Sequence, residues 1–190
     1  MSNEPFSHFE AQAIDLFKHT TWYTNRRYTV QLFFKSDSQP EINFGRAFAQ
    51  LMSLKKSKDP QLFTKYQAIL DEYIKEGFIK PVELDPHSDG QMHYLPHHPV
   101  LKNSTSTPMR IVLNASAKSG PNSRSLNESL YTAPNLASKI QSMILRFREK
   151  PFGLTADISK AFLLIEIAQE HCDYCRFLFF KDSSMTEVVA

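Results

Sequence analysis

The stretch Phe152-Gly-Leu-Thr-Ala-Asp-Ile-Ser-Lys-Ala-Phe-Leu-Leu-Ile-Glu-Ile-Ala168 sets one carboxylate, Asp157, among Leu154, Ala156, Ile158 and Phe162. Burying an unpaired carboxylate costs several kcal/mol, so a sequence that keeps one in apolar surroundings supplies it with a cation or a cradle of hydrogen-bond donors. Two other groups carry chemistry-bearing side chains. Cys172 and Cys175 are the only cysteines and have C-x-x-C spacing. A zinc site needs four ligands and there is no second pair, while a redox motif wants a glycine- or proline-containing turn where this chain has Asp173-Tyr174. Two ordinary reduced thiols are the plainer reading. His87, His93, His97 and His98 lie near Asp85 and Asp89. Their spacing fits no recognised metal site, and the surrounding prolines and glycine mark a polar turn before a strand.

The elements that must position these residues are legible as periodicities. Apolar residues at 6, 9, 13 and 17 suit one face of a helix, and Tyr28 to Phe34 has the β-branched and aromatic character of a strand. Phe44, Phe48, Leu51 and Lys55 follow a helical period into Lys55-Lys56-Ser57-Lys58, a solvated helix end whose cations complement the carbonyl pole. From Pro60 to Glu76, Leu62, Tyr66, Ile69, Leu70, Tyr73 and Ile74 make one apolar stripe, with Asp59 as cap and Gly77 as stop. Phe78 and Ile79 should begin a strand. Val100-Leu101 and Arg110-Ile-Val-Leu-Asn114 predict a hairpin. A loop follows over 117–127. The spacing then predicts a helix over 135–150, with Leu136, Ile140, Met143, Ile144 and Phe147 inward and Lys139, Arg146 and Arg148 outward. Residues 153–157 should form a buried strand, 163–167 a second and 176–180 a third.

The 190 residues, 42% of them hydrophobic, can bury a sizeable core and exclude a disordered tail. The net charge of +2 comes from 22 basic and 20 acidic side chains, too even a balance to argue nucleic-acid binding from charge. Any basic groove must be local. The opening residues have neither a basic leader nor an apolar h-region, and no apolar run approaches a membrane span. A cytoplasmic or nuclear setting without a membrane partner is expected, and the sequons at Asn103, Asn114 and Asn127 read as chance.

Several phrases in a fixed order carry a resemblance: Tyr94-Leu-Pro-His-His-Pro-Val100, Met109-Arg-Ile-Val-Leu-Asn-Ala-Ser-Ala-Lys118, Ser125-Leu-Asn127, Pro134-Asn-Leu136, Ile144-Leu-Arg-Phe-Arg148, Leu154-Thr-Ala-Asp-Ile-Ser-Lys-Ala-Phe162 and Arg176-Phe-Leu178. From about Tyr28 onward the chain resembles the reverse transcriptases of Pao/BEL-type LTR retrotransposons. That resemblance implies an α+β fold: right-hand polymerase fingers with the first strands of the palm, incomplete. Residues 1–27 would be a helical lead-in, 28–150 fingers-like and 151–190 the start of the palm.

In such an enzyme the resemblance makes Asp157, with the carbonyl of Ile158, a ligand of two magnesium ions (Mg2+) that carry the incoming dNTP. Phe162 resembles the bulky residue that packs on the deoxyribose and leaves no room for a 2′-hydroxyl, against the plainer reading of one more core aromatic. Arg110 and Lys102 resemble fingers cations that grip the triphosphate, with ordinary solvation as the alternative. Asn114 stands where relatives commonly carry aspartate.

Two-metal phosphoryl transfer needs carboxylates on both sides of the ion pair, and the 190 residues contain no Asp-Asp pair. The expectation is a piece of a retrotransposon polyprotein, inactive by itself. RNA template, DNA primer and dNTP would be partners of the parent enzyme, along with the remainder of the polyprotein (rest of the palm, thumb and RNase H). The alternative is a non-catalytic nucleic-acid- or partner-binding remnant that uses Lys118, Arg124, Lys139, Arg146 and Arg148 on phosphate. A soluble domain without a ligand is the third class. The Asp157 strand, left without its neighbours, should expose an apolar edge and lower solubility.

Overall fold

The computed structural model describes residues 7–36, 38–56, 60–84, 92–101, 103, 108–181 and 187–190. The elements run α1 (His8–Thr20), β1 (Trp22–Thr24), β2 (Arg27–Val30), α2 (Phe44–Lys55), α3 (Pro60–Lys75), β3 (His97–Leu101), β4 (Met109–Leu113), α4 (Leu126–Ser129), α5 (Ile140–Arg148), β5 (Ile165–Ile167), β6 (Phe179–Phe180) and β7 (Val188–Val189). Single 3-10 segments span Ala161–Leu164 and Gln169–Cys175. The class is mixed α+β, with small separate sheets. Two units are compact: Met1–Phe33 with Tyr131–Glu166, and Phe34–Leu130 with Ile167–Ala190.

The first unit begins with α1, whose Ser7 hydroxyl accepts from the Glu10 amide while the Glu10 carboxylate accepts from the Ser7 amide, a reciprocal capping box. Asn25 and Arg26 both take positive φ, the handedness that lets a two-residue turn match the twist of a hairpin. β1 and β2 therefore pair antiparallel with Tyr23 opposite Tyr28, and β5 adds on the far side of β2. Glu166 ties that edge: Arg27 Nη1 donates to it at 3.4 Å and the Thr29 hydroxyl at 3.3 Å.

Little of this unit is buried. Among its described residues only Ala13 and Thr29 are. The inward stripe expected on the helix over 135–150 is a correction: α5 is shorter, and Leu136, Ile140, Met143, Ile144 and Phe147 are all exposed. A stripe is buried only where another element covers it. Gly153 lies close against this helix, its missing Cβ leaving room for the Phe147 ring.

The second unit holds the core. Ala47 and Leu51 of α2 and Phe63 of α3 pack with Met92, Tyr94, Leu178, Phe180 and Ala190. The stripe expected over 60–76 is met in part: Tyr66 and Leu70 are buried while Leu62, Ile69, Tyr73 and Ile74 are half-buried. The buried face of α3 is completed by Phe63 and Gln67, which the stripe did not include. Gly77 at φ +71° ends the helix; its amide donates to the Ile74 carbonyl and the Phe78 amide to that of Tyr73, while the Tyr73 and Phe78 rings meet edge to face. Phe78 and Ile79 thus close a helix and do not begin a strand. Antiparallel β3 and β4 form the expected hairpin, extended back to His97, which pairs with Leu113. β6 pairs with β7, and Val82 and Ala190 exchange amide and carbonyl bonds beside them.

Candidate functional site

Positions on the hairpin follow from its register. Arg110 lies opposite Val100, and its exposed side chain makes no hydrogen bond or ion pair among the described residues. Lys102, its expected companion, lies outside the described residues. The hairpin closes with the Asn114 amide donating to the Pro96 carbonyl at 2.8 Å. The Asn114 side-chain oxygen accepts from the Ser116 amide at 3.0 Å, so it shapes the following turn and is already engaged there.

That turn leads into two adjoining hollows. One, of about 580 Å³, is lined by Lys35, Ser36, Ser38, Lys118, Pro121, Asn122, Ser123, Arg124 and Glu128. The other, of about 540 Å³, is lined by Arg46 and Asn114 with 116–121, and shares Lys118 and Pro121. Local chemistry fixes the walls. Ser123 accepts from the Gly120 amide at 2.8 Å and donates to the Gly120 carbonyl at 2.9 Å, closing the loop on itself. Arg124 Nη1 donates to the Ser38 hydroxyl at 2.7 Å, and Lys35 Nζ to the Glu128 carbonyl at 2.8 Å. Lys118 and Arg124 are thus brought to one hollow, together with Lys35; Arg46 lines its neighbour. Lys35 and Arg46 escaped the sequence reading because a lone cation at a strand end or in the first turn of a helix carries no pattern; only the fold gathers them.

Glu128 is the one carboxylate among the described residues lining either hollow. It lies 2.7 Å from Lys118 Nζ, and its other oxygen accepts from the Ser125 amide at 3.1 Å. The hydrogen bond from Lys118, then the Ser125 amide, holds its carboxyl below the usual carboxylate range.

Arg146 and Arg148 are exposed on α5, in the other unit. The same unit holds Asp157, and here the structure corrects the expectation. Residues 152–158 form no strand, and Asp157 is exposed among exposed neighbours, with Leu154 98%, Ile158 69% and Phe162 90% accessible. β2 is paired with β5 on one side and β1 on the other, and residues 153–157 join none of the sheets among the described residues. The Asp157 carboxylate accepts from the Ile158 amide at 3.0 Å. Lys160 at φ +54° turns the chain, and Phe162 follows in the short 3-10 segment, so its ring is no core aromatic.

No group of three His, Cys, Asp or Glu side chains able to hold a metal occurs among the described residues, and one solvated carboxylate does not fix two dications. The residues around Asp157 do not fit the ion pair.

The histidines have structural partners. His93 is fully buried; its Nδ1 donates to the Glu41 carbonyl at 2.8 Å, and Nε2 faces the Asn43 amide nitrogen at 3.4 Å. His97 donates from Nε2 to the Leu178 carbonyl, which leaves Nδ1 to accept from the Tyr66 hydroxyl. Burial pushes both imidazoles below their ordinary value. His87, Asp85 and Asp89 lie outside the described residues, as does Asp59, the expected cap of α3. Burial also pushes the Cys175 thiol up to about 11, with Cys172 adding to the shift, so it is protonated near neutral pH. No helix among the described residues is long and apolar enough to cross a membrane. No protein-family model matches the chain, and no curated protein or solved structure is significantly similar to it.

Proposed function

We propose that this chain is the fingers and the opening of the palm of an RNA-directed DNA polymerase of retrotransposon type, and that its own contribution is to hold nucleic acid. The observation that carries this reading is the path of the phrase Met109 to Lys118. It starts at the exposed Arg110 guanidinium on β4 and ends at the Lys118 ammonium in the cationic hollow. A guanidinium matches phosphate oxygens in a bidentate way and an ammonium acts as a point charge, so both suit a polyanion lying along the hairpin and loop. Arg146 and Arg148 on α5 would add phosphate contacts of their own.

Binding to a labelled RNA–DNA hybrid tests this. Association at low salt that weakens steeply as salt rises is expected, and a double change of Lys118 and Arg124 to glutamine should lower the steepness by about two ion equivalents. Absence of binding at low salt removes the proposal.

The solitary Asp157 carboxylate favours a second reading, a non-catalytic nucleic-acid- or partner-binding remnant of the same ancestry. With magnesium and deoxynucleotides this chain alone should extend no primer, because its sequence has no Asp-Asp pair and no group among the described residues completes a two-metal site. Incorporation that Asp157→Asn abolishes would reverse that. Genomic sequence beyond the Ala190 codon separates the two readings. An aromatic-x-Asp-Asp codon run assigns the polymerase, and its absence, with hybrid binding retained, assigns the remnant.

A further inference from the structure

The Lys118–Glu128 pair sits inside the hollow that the nucleic-acid reading invokes, and it poses a problem for that reading. The described lining has three cations, Lys35, Lys118 and Arg124, against one carboxylate, and that carboxylate touches the cation that lines both hollows. Two of the cations are aimed by their neighbours: Arg124 by the Ser38 hydroxyl, and Lys35 by the Glu128 carbonyl. Lys118 alone has its charge met directly.

We propose that the hollow is a binding site for a single phosphate group, and that Glu128 is its internal counter-ion, sharing the Lys118 ammonium with an incoming phosphate oxygen. The proposal rests on the nucleic-acid reading for the source of that phosphate. A carboxylate oxygen 2.7 Å from an ammonium has the geometry and charge of a phosphate oxygen, so it marks where an anion is stabilised. The ammonium has three donors and can share them. The carboxylate is not free to leave, however, since its other oxygen is held by the Ser125 amide and its own amide donates to the Ser125 hydroxyl at 3.3 Å. Phosphate therefore enters against a fixed negative charge. The pair sets the affinity low and, by reducing the net positive charge of the lining, also makes the dependence on ionic strength less steep than the three cations alone would give.

This arrangement predicts an unusual sign for a substitution in a binding site: removing a side chain that touches the key lysine should tighten binding. Glu128→Gln is the informative change, because glutamine serves the capping box as well as glutamate does while lacking the charge. Glu187→Gln removes an equal charge from the Lys181 pair outside the hollow and controls for net charge. Lys35→Gln removes an attractive charge from the lining.

Full-length wild type and the three variants are titrated with a labelled RNA–DNA hybrid by fluorescence anisotropy and with inorganic pyrophosphate by calorimetry, after circular dichroism has established that each is folded. Glu128→Gln should bind the hybrid roughly two- to fivefold tighter than wild type at low salt, the advantage shrinking as salt rises. Lys35→Gln should weaken binding and lower the salt slope by about one. Hybrid binding with Glu128→Gln no tighter than Glu187→Gln overturns the counter-ion while leaving the nucleic-acid function standing. Pyrophosphate binding that Glu128→Gln tightens, without hybrid binding, supports the phosphate site and removes the nucleic-acid function. No binding of either anion by any variant overturns both. Should Glu128→Gln fail to fold, Lys35→Gln decides: unchanged affinity for both anions overturns the site.

Discussion

Tyr66 of α3 lies flat against His97 of β3, with ring centroids 5.6 Å apart and planes within 10°, and its hydroxyl donates to Nδ1 of that imidazole. The bond joins the best-formed helix of the chain to the hairpin that carries Arg110. Burial drives the phenol well above its ordinary value, so it is a donor at every ordinary pH. Tyr66→Phe keeps the ring and its stacking but leaves a buried imidazole nitrogen without its donor. The expected cost is about 1–3 kcal/mol. Urea unfolding measures it, and an unchanged midpoint would show that the hydroxyl contributes nothing.

His93 and His97 give the fold a pH dependence with a definite sign. Burial lowers both folded-state values below the ordinary 6.5, and His98 beside His97 adds to the effect. Below that ordinary value the unfolded chain takes up protons that the folded chain does not, so stability is full above about pH 6.5 and falls as the pH drops. Unfolding midpoints taken from pH 7.5 down to 5 should decline, before carboxylates begin to titrate. A flat profile over that interval contradicts the buried neutral imidazoles.

Asp157→Asn separates a solvated carboxylate from a buried one. An exposed side chain that, among the described residues, accepts only the Ile158 amide should tolerate the change within about 0.5 kcal/mol in either direction. A buried, uncompensated charge would respond by several times that amount. Chemical denaturation of the two proteins side by side gives the answer, and a large shift in either direction refutes the exposed placement.

How far the sequence speaks for the fold depends on whether a signal is local. The bounds of helix α3 were legible almost to the residue, because the proline at its start and the glycine at its stop act within a few bonds of the backbone they control. Its stripe, by contrast, gave only Tyr66 and Leu70 of the buried face and missed Phe63 and Gln67. The β3–β4 hairpin was legible for the same reason as those bounds. Residues 153–157 were not. Leu154, Ala156 and Ile158 give the composition of a buried strand, but a strand is made by a partner's amides and carbonyls, and composition is silent about partners. The stripe on α5 failed likewise: 3.6-residue spacing says which residues share a face and nothing about what covers it. In the candidate site, Lys118 and Arg124 were found by sequence. Lys35 was not, since it lies 93 positions from Glu128 and becomes its neighbour only after folding. Glu128, ten positions past Lys118, carries no sequence pattern that marks it as part of a site.

The second unit is assembled from two separate stretches of chain, 34–130 and 167–190. The later stretch contributes Leu178 and Phe180 to the core and the carbonyl that fixes His97, so it is no appendage. A protease nick anywhere in the intervening 131–166 would therefore cut the polypeptide without dismantling that unit. The two pieces would remain docked as a split protein, and made separately they would find each other by the same buried surfaces that fold them when they are joined.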